Sequence, residues 1–339
     1  MKENKKNHQL LPSPPLASAG TMEADDPAKF EHTAQPWELM VKPLDKNTFA
    51  HCKTYLITPS IIIYKESFAS AIQIHGLTPD RMLSFTIPLK LGKQSLYWDK
   101  PINQREIPAS LPGGLDVVLD AGQAHIIVLI ELSLLERMLT KEQLTALKYA
   151  ASQRRLPIIE RALDAFTQWL LNLLDQTQQQ TNIFQYASVL RSLEEDLLQH
   201  LLNVVRLPLQ IPARDSREKR RLGFERALEF LREADLSSLS VPEICDKAEV
   251  SQRTLEYAFR EHFNITPIHF IRKLRLHAVR KTLLTAHVND ITISDTAHQY
   301  GIYDMGRFAS TYKSHFDELP SQTLAKPAIK NINPFAHFI

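Results

Sequence analysis

Apolar residues recur along this chain with two different periods, and the period changes near residue 130. From about 36 to 130 they come in short runs rich in Ile, Val, Leu, Tyr and Phe. Examples are Ser60-Ile-Ile-Ile-Tyr64, Ser70-Ala-Ile-Gln-Ile-His75, Met82-Leu-Ser-Phe-Thr-Ile87 and His125-Ile-Ile-Val-Leu-Ile130. Pairs that favour turns, such as Lys100-Pro101 and Gly113-Gly114, separate the runs. This pattern predicts many short strands in an antiparallel sandwich or barrel. No glycine occurs between Gly122 and Gly223, and that span has helical period, predicting helices at roughly 131–149, 156–177 and 183–205. In the last of these, Leu190, Leu193, Leu197 and Leu201 mark one stripe, which is either domain core or a dimer seam. Leu207-Pro208 through Ser216 reads as a linker, with prolines at 208 and 212, and the text from 217 to about 324 is helical again. Residues 1–34 are polar, proline-bearing and aperiodic, which predicts a disordered arm. The expected division is therefore an arm at 1–34, a β-rich domain with attached helices at 35–206, a linker at 207–217, a helical domain at 218–325 and a tail at 326–339. The fold class is α+β, with a barrel-like N-terminal part and an all-α C-terminal part.

Within the helical domain one arrangement occurs twice. Val241-Pro242-Glu243-Ile244-Cys245-Asp246-Lys247-Ala248 predicts a short helix with proline in its first turn. Glu249-Val250 turns the chain, and Ser251 caps a second helix from Gln252 to His262. At about 100° per residue, Leu255, Ala258, Phe259 and His262 share one side, and Arg253, Glu256, Tyr257 and Arg260 the other. A short helix held by its apolar side and showing a long polar face suits the major groove of DNA. The pattern recurs in Ile293-Ser294-Asp295-Thr296-Ala297-His298-Gln299-Tyr300, the turn Gly301-Ile302-Tyr303, and a helix capped by Asp304 that runs to about Phe316. Met305, Phe308, Ala309, Tyr312 and Phe316 occupy one side of it; Gly306, Arg307, Ser310, Lys313 and Ser314 occupy the opposite one. Gly306 costs about 1 kcal/mol of helix propensity, which either close approach of DNA or tight helix packing would explain. Thr266 caps the helix between the two units, Pro267 opens it, and it runs to about Ala286. Some 20 residues span roughly 30 Å, close to the roughly 34 Å of one DNA turn.

Charge refines this picture. The formal net charge of the 339 residues is only +2, and residues 217–324 hold 16 Lys+Arg against 15 Asp+Glu. A DNA surface therefore rests on the placement of charge, not its amount. Residues 272–281 contain Arg272, Lys273, Arg275, Arg280 and Lys281 with no acid, either a solvated face or a set of phosphate contacts. Arg253 and Arg307 are the expected guanine readers, with phosphate or a neighbouring acid such as Glu256 as the alternative partner. Lys273 and Lys313 suit phosphate. The candidate interface is Ser251, Gln252, Arg253, Glu256, Tyr257, Arg260, Lys273, Gly306, Arg307, Ser310, Lys313 and Ser314. Cys52 and Cys245 have no metal-ligand spacing and read as reduced thiols of a cytoplasmic protein. No apolar stretch approaches the roughly 18 residues of a membrane span, and the prolines at 12, 14 and 15 interrupt any signal-like region.

Residues 217–324 resemble the DNA-binding domain of AraC/XylS transcription regulators. The text that carries the resemblance is Ser251-x-x-Thr254-Leu255-x-x-x-Phe259-x-x-x-Phe263-x-x-Thr266-Pro267, then Arg275-Leu276-x-Ala278-x-x-x-x-Leu283. It continues in Ile293-Ser294-Asp295-Thr296-Ala297, Gly301-Ile302, and Gly306-Arg307-Phe308-Ala309-x-x-Tyr312-x-x-x-Phe316-x-x-x-Pro320-Ser321. Met305-Gly306-Arg307-Phe308-Ala309 with Pro320-Ser321 is most similar to the branch that includes ethanolamine operon regulators. The chain departs from the pattern at Glu249, where a glycine is frequent, at Ile302, where phenylalanine is common, and at Phe316-Asp317-Glu318-Leu319-Pro320. The resemblance implies double-stranded DNA and RNA polymerase as partners, activation of transcription, a homodimer, and control through an effector domain that carries dimerisation helices. It implies no enzyme activity, cofactor or membrane association.

The N-terminal half shows no effector motif. His75, Arg81, Tyr97 and Trp98 are candidates for a pocket lining, against ordinary core or surface roles. A metal-dependent enzyme would need clustered His and carboxylate ligands, whereas the strands offer His75 and His125 singly. A partner protein instead of a small-molecule effector is the remaining alternative for this half.

Overall fold

A computed structural model describes residues 16–45, 48–103, 105–179, 183–184, 186–208, 216–287 and 290–328. Its strands, in chain order, are β1 (Ser18–Ala24), β2 (Glu38–Pro43), β3 (His51–Ile57), β4 (Ile61–Phe68), β5 (Ile72–Leu77), β6 (Met82–Lys90), β7 (Leu96–Tyr97), β8 (Lys100–Pro101), β9 (Glu106–Ser110), β10 (Gly114–Leu119), β11 (Ala124–Glu131) and β12 (Arg155–Pro157). They form a seven-stranded sheet of order β1-β3-β4-β11-β6-β9-β12 and a five-stranded sheet of order β2-β5-β10-β7-β8. Neither sheet closes, so the sandwich is adopted and the barrel-like expectation is corrected. The reason lies in the central strands, which are apolar on both faces. Ile61, Ile63, Ile126, Val128 and Ile130 point to one core, and Ile62, Tyr64 and Leu129 to another. Successive side chains of a strand face opposite ways, so one sheet is covered on both sides and gains nothing by closing.

The second of these cores joins the two sheets. The first lies under α2 (Leu132–Met138), α3 (Lys141–Ser152), α4 (Glu160–Gln179) and α5 (Ala187–Val204). One helix was expected over 131–149; instead the backbone is extended at Leu139, and Thr140 starts α3 with a capping box to Gln143. Leu193, Leu197 and Leu201 of the leucine stripe are buried within this core, so those positions serve the domain itself. Residues 18–33 are not an arm. β1 pairs in register with β3, and α1 (Pro27–Thr33), capped by Asp26, buries Phe30. The polar text concealed them because β1 is an edge strand with one fully buried residue. Residues 1–15 of the expected arm, most of the expected linker and the tail beyond 328 lie outside the described residues.

The C-terminal part consists of α6 (Ser216–Glu233), α7 (Val241–Ala248), α8 (Gln252–Phe263), α9 (Pro267–Thr285), α10 (Ile293–Gln299), α11 (Met305–Phe316) and α12 (Pro320–Leu324). It has two small cores. Phe224, Ile244, Leu255, Phe259, Phe263 and Phe270 build one; Leu276, Val279, Leu283, Phe308, Tyr312 and Phe316 build the other. α9 contributes to both, its N-terminal half to the first and its C-terminal half to the second. Helices α7, α8 and α11 end on Glu249, Asn264 and Asp317, all in the left-handed region. That conformation explains why glycine is frequent at the position of Glu249; here its carboxylate meets Arg226. No described helix is long and apolar enough to cross a membrane.

Candidate nucleic-acid interface

Each helix-turn-helix unit is set by its caps. Ser240 Oγ accepts from the Glu243 N–H at the start of α7, and Ser251 Oγ accepts from the Thr254 N–H at the start of α8. In the second unit Thr292 Oγ1 accepts from Asp295 N–H, and Asp304 Oδ1 accepts from Arg307 N–H. Thr266 holds the cap position of α9, but its hydroxyl lies 2.7 Å from His269 Nδ1 instead of bonding the backbone.

Leu255, Ala258, Phe259 and Phe263 bury one side of α8; Phe308, Tyr312 and Phe316 bury one side of α11. The opposite faces are open. Ser251, Gln252, Arg253, Tyr257 and Arg260 are exposed and Glu256 is half-buried. Gly306, Arg307, Ser310, Lys313 and Ser314 are exposed on α11. Glu256 does not neutralise Arg253: it accepts from Gln252 Nε2 at 3.0 Å, while the Arg253 guanidinium sits 5.7 Å from the Tyr257 ring centroid. Tight packing does not explain Gly306 either. A Cβ there would meet only Asp304 Oδ1, at 3.6 Å.

Gly301, at φ +74°, is a different case. A Cβ on it would lie 2.5 Å from the Ser237 carbonyl oxygen, in the segment between α6 and α7. The two units therefore touch backbone to backbone. Arg275 ties the linking helix α9 to the same segment by donating to the Leu236 and Leu239 carbonyls at 2.8 and 3.0 Å. With its 19 residues α9 spans about 28 Å.

The basic run on α9 is divided in use. Arg272 and Lys281 are exposed. Arg280 is buried and pairs with Glu318 at 3.0 Å and with Asp26, the cap of α1, at 3.5 Å. Lys273 is half-buried, with Nζ 3.3 Å from His75 Nδ1 on β5; it faces the N-terminal domain. Further ties join the two halves. Arg232 donates to Thr78 O and pairs with Glu38 and Asp80, His277 Nδ1 lies 3.1 Å from Glu31, and Met40 and Leu77 complete the first helical core. Burial and the nearby Lys273 push His75 down to about 3, while burial and Asp99 push Asp116 up to about 7. Their 3.4 Å contact is thus a neutral imidazole beside a carboxyl group, not an ion pair.

Of the other pocket candidates, Tyr97 is buried and lines a cavity of about 50 Å³ between the sheets. Trp98 Nε1 donates to Gly114 O beneath the Arg154 guanidinium, and Arg81 is exposed. Sequence reasoning missed the cluster beside that cavity. Lys53 and Glu66 are both buried and 3.0 Å apart, and His51 and His125 lie 3.3 and 3.4 Å from Glu66. Burial alone would raise the Glu66 pKa, but Lys53 and the two histidines hold it well below the usual carboxylate range. Strand register makes the cluster, since Glu66 pairs across to Lys53 on one side and His125 on the other. No local motif signals it. Among the described residues no group of three or more His, Cys, Asp or Glu is arranged to hold a metal.

Two helix-turn-helix units with open polar faces, held on one linking helix, have the form of a helix-turn-helix DNA-binding domain. The profile of the helix-turn-helix domain family matches residues 244–326. The XylDLEGF operon transcriptional activator 2 of Pseudomonas putida is 37% identical over 110 residues, 32% of this chain and 70% of the relative. Activator 3 of the same operon and organism is 34% identical over 112 residues, 33% of this chain but only 34% of its own length. Among solved structures, the AraC-like transcriptional activator CuxR aligns with 76% of this chain and 94% of its own, at 14% identity and a TM-score of 0.41. The chain belongs to the AraC/XylS family of transcription regulators.

Proposed function

We propose that the protein is a sequence-specific transcription activator whose α8 and α11 enter successive major grooves on one face of a duplex. The observation that carries this reading is the pair of exposed polar helix faces, each backed by its own core and joined by a helix about 28 Å long. Arg253 and Arg307 read guanine; Ser251, Gln252, Arg260, Ser310, Lys313 and Ser314 line the grooves and backbone, and Tyr257 stands beside Arg253 on the open face of α8. Glu256 orders Gln252, and Gly306 lets DNA approach α11. Lys273 reaches phosphate only when the five-stranded sheet moves off α9.

Several further elements complete the proposal. The chain acts in the cytoplasm as a homodimer through α4 and α5, where Trp169, Leu173 and Leu190 remain partly buried at the edge of the core, and it recruits RNA polymerase. Residues 35–206, together with β1 and α1, regulate, and residues 218–325 bind DNA. Met305–Ala309 and Pro320–Ser321 support a place near the ethanolamine operon branch. Control runs through the N-terminal domain, supported by its contacts with α8, α9 and α11. A small-molecule effector is the first reading. A partner protein is the second, favoured by the cavity of about 50 Å³, against about 300–1,000 Å³ for ordinary ligand pockets.

Selection of binding sites from random DNA tests the proposal. Arg253→Ala and Arg307→Ala should each relax preference at one position, the two positions lying about one helical turn apart. Unchanged recovered motifs for both variants would overturn it.

A further inference from the structure

The two reading helices differ in how their arginines are held. On α8, Arg253 and Tyr257 are one turn apart on the exposed face, and the guanidinium lies 5.7 Å from the ring centroid. The only acid in the first two turns of α8, Glu256, is occupied by Gln252 at 3.0 Å. The side chain of Arg253 is therefore restrained by a ring that leaves its charge and its N–H donors free. Tyr257 itself is 53% exposed and stands apart from the buried residues of the core beneath. On α11 the equivalent support is absent among the described contacts. Asp304 caps the Arg307 N–H, and Ser310 and Thr311 donate to the Arg307 carbonyl, so the backbone is fixed and the guanidinium is not.

We infer that Tyr257 is a positioning residue for Arg253: its ring pre-orders the guanidinium before DNA arrives, so that the first unit discriminates its base more sharply than the second. This rests on the proposed role of Arg253 as a base reader. Ordering a long side chain in advance removes part of the rotamer entropy otherwise lost on binding. The gain appears as discrimination because only the correct base accepts both N–H groups of the fixed fork.

The test is selection from random DNA, followed by measured discrimination at each recovered position, for the full-length protein and the variants Tyr257→Phe, Tyr257→Ala and Arg253→Ala. A cation over an exposed ring gives about a two- to fivefold effect. Tyr257→Ala should therefore lower discrimination about two- to fivefold at the Arg253 base and nowhere else. Tyr257→Phe keeps the ring and should match wild type, and Tyr257→Ala in an Arg253→Ala background should add nothing. Arg253→Ala alone should lower discrimination at that base by about 5- to 150-fold. If Arg253→Ala changes no position, the base-reading role fails. If it relaxes its position while Tyr257→Ala does not, the positioning role fails. Relaxation at a different position in Tyr257→Ala, or a loss in Tyr257→Phe, shows Tyr257 contacting DNA directly and also overturns the inference.

Discussion

Gly306→Ala separates folding from DNA binding at a single methyl group. Gly306 is the second residue of α11, exposed, and without the positive φ that would exclude alanine. The added Cβ finds only Asp304 Oδ1, at an ordinary contact distance of 3.6 Å. Within the protein the substitution should help: glycine in a helix costs about 0.5–1 kcal/mol relative to alanine. For the unit built on α9 to α12 that amounts to a rise of about 2–8 °C in its melting midpoint. On DNA it should hurt. If backbone or base edges approach α11 at this residue, the methyl group overpacks the interface by about 1–3 kcal/mol, a loss of about 5- to 150-fold in affinity. Thermal melting by circular dichroism gives the first quantity, and fluorescence anisotropy with a selected site at fixed salt gives the second. Higher stability with unchanged affinity would refute the close approach. Lower stability would refute the open surroundings from which the gain is reckoned.

Four further outcomes are expected. Gly301→Ala forces a left-handed alanine, about 1–2 kcal/mol, and presses its Cβ to 2.5 Å from the Ser237 carbonyl oxygen; affinity for the two-part site should fall at least tenfold, and equal affinity for both proteins would dismiss the contact. Leu197→Ala removes a wholly buried side chain and should cost the N-terminal domain about 2–5 kcal/mol in denaturant titration, whereas a loss of dimer alone would return this position to a seam. Lys313→Ala should lower the slope of log affinity against log salt by about one unit while Lys273→Ala leaves it unchanged, because Lys273 is held against His75. Stability should fall as pH drops from 6.5 to 5. Burial holds His75 and His315 down to about 3 and about 2, so the unfolded chain takes up protons in this window that the folded chain refuses. Each contributes about 1.4 kcal/mol per pH unit. Asp116, pushed up to about 7 by burial, has the opposite sign and offsets one of the two; a melting temperature flat or rising toward pH 5 contradicts the assignment.

The reading helices were legible because the signals that define them are local. Ser251 and Asp304 each stand one residue before a helix with an apolar stripe of period 3.6, and each is a cap. Every interface candidate on α8 and α11 lies on the open side, with only Glu256 half-buried. What the text could not convey depends on distant partners. Glu66 looks like a surface residue of an alternating strand until pairing places it between Lys53 and His125. β1 and α1 look like a polar arm until β3 and α9 are set beside them. The leucine stripe has the same spacing whether it faces a neighbouring chain or its own sheet, and only the assembled core distinguishes the two.

The run from 272 to 281 shows the same limit and bears on regulation. Five cations without an acid resemble a phosphate-binding strip, yet the fold gives three of them other tasks. Arg275 ties α9 to the segment between α6 and α7, Arg280 and Lys326 share Asp26 and Glu318, and Lys273 leans on β5. These contacts fix the N-terminal domain to the first unit through Arg232 and to the second through Arg280 and His277. A domain anchored to both units restricts how far they can turn about α9, and so, on the proposed reading, the spacing of the grooves they would enter. The exposed faces of α8 and α11 remain uncovered in this arrangement, so docking does not mask the proposed DNA surface. On the proposed reading it acts instead on geometry and on the charge available to the backbone. Releasing the sheet would free Lys273 for phosphate and let the units adjust, at the expense of the ion pairs at Asp26. Burial raises the Asp26 pKa, but Arg280 and Lys326 outweigh it and hold the group below its ordinary value. Those pairs are therefore fully formed at neutral pH, and an input that opens the domain must act against them.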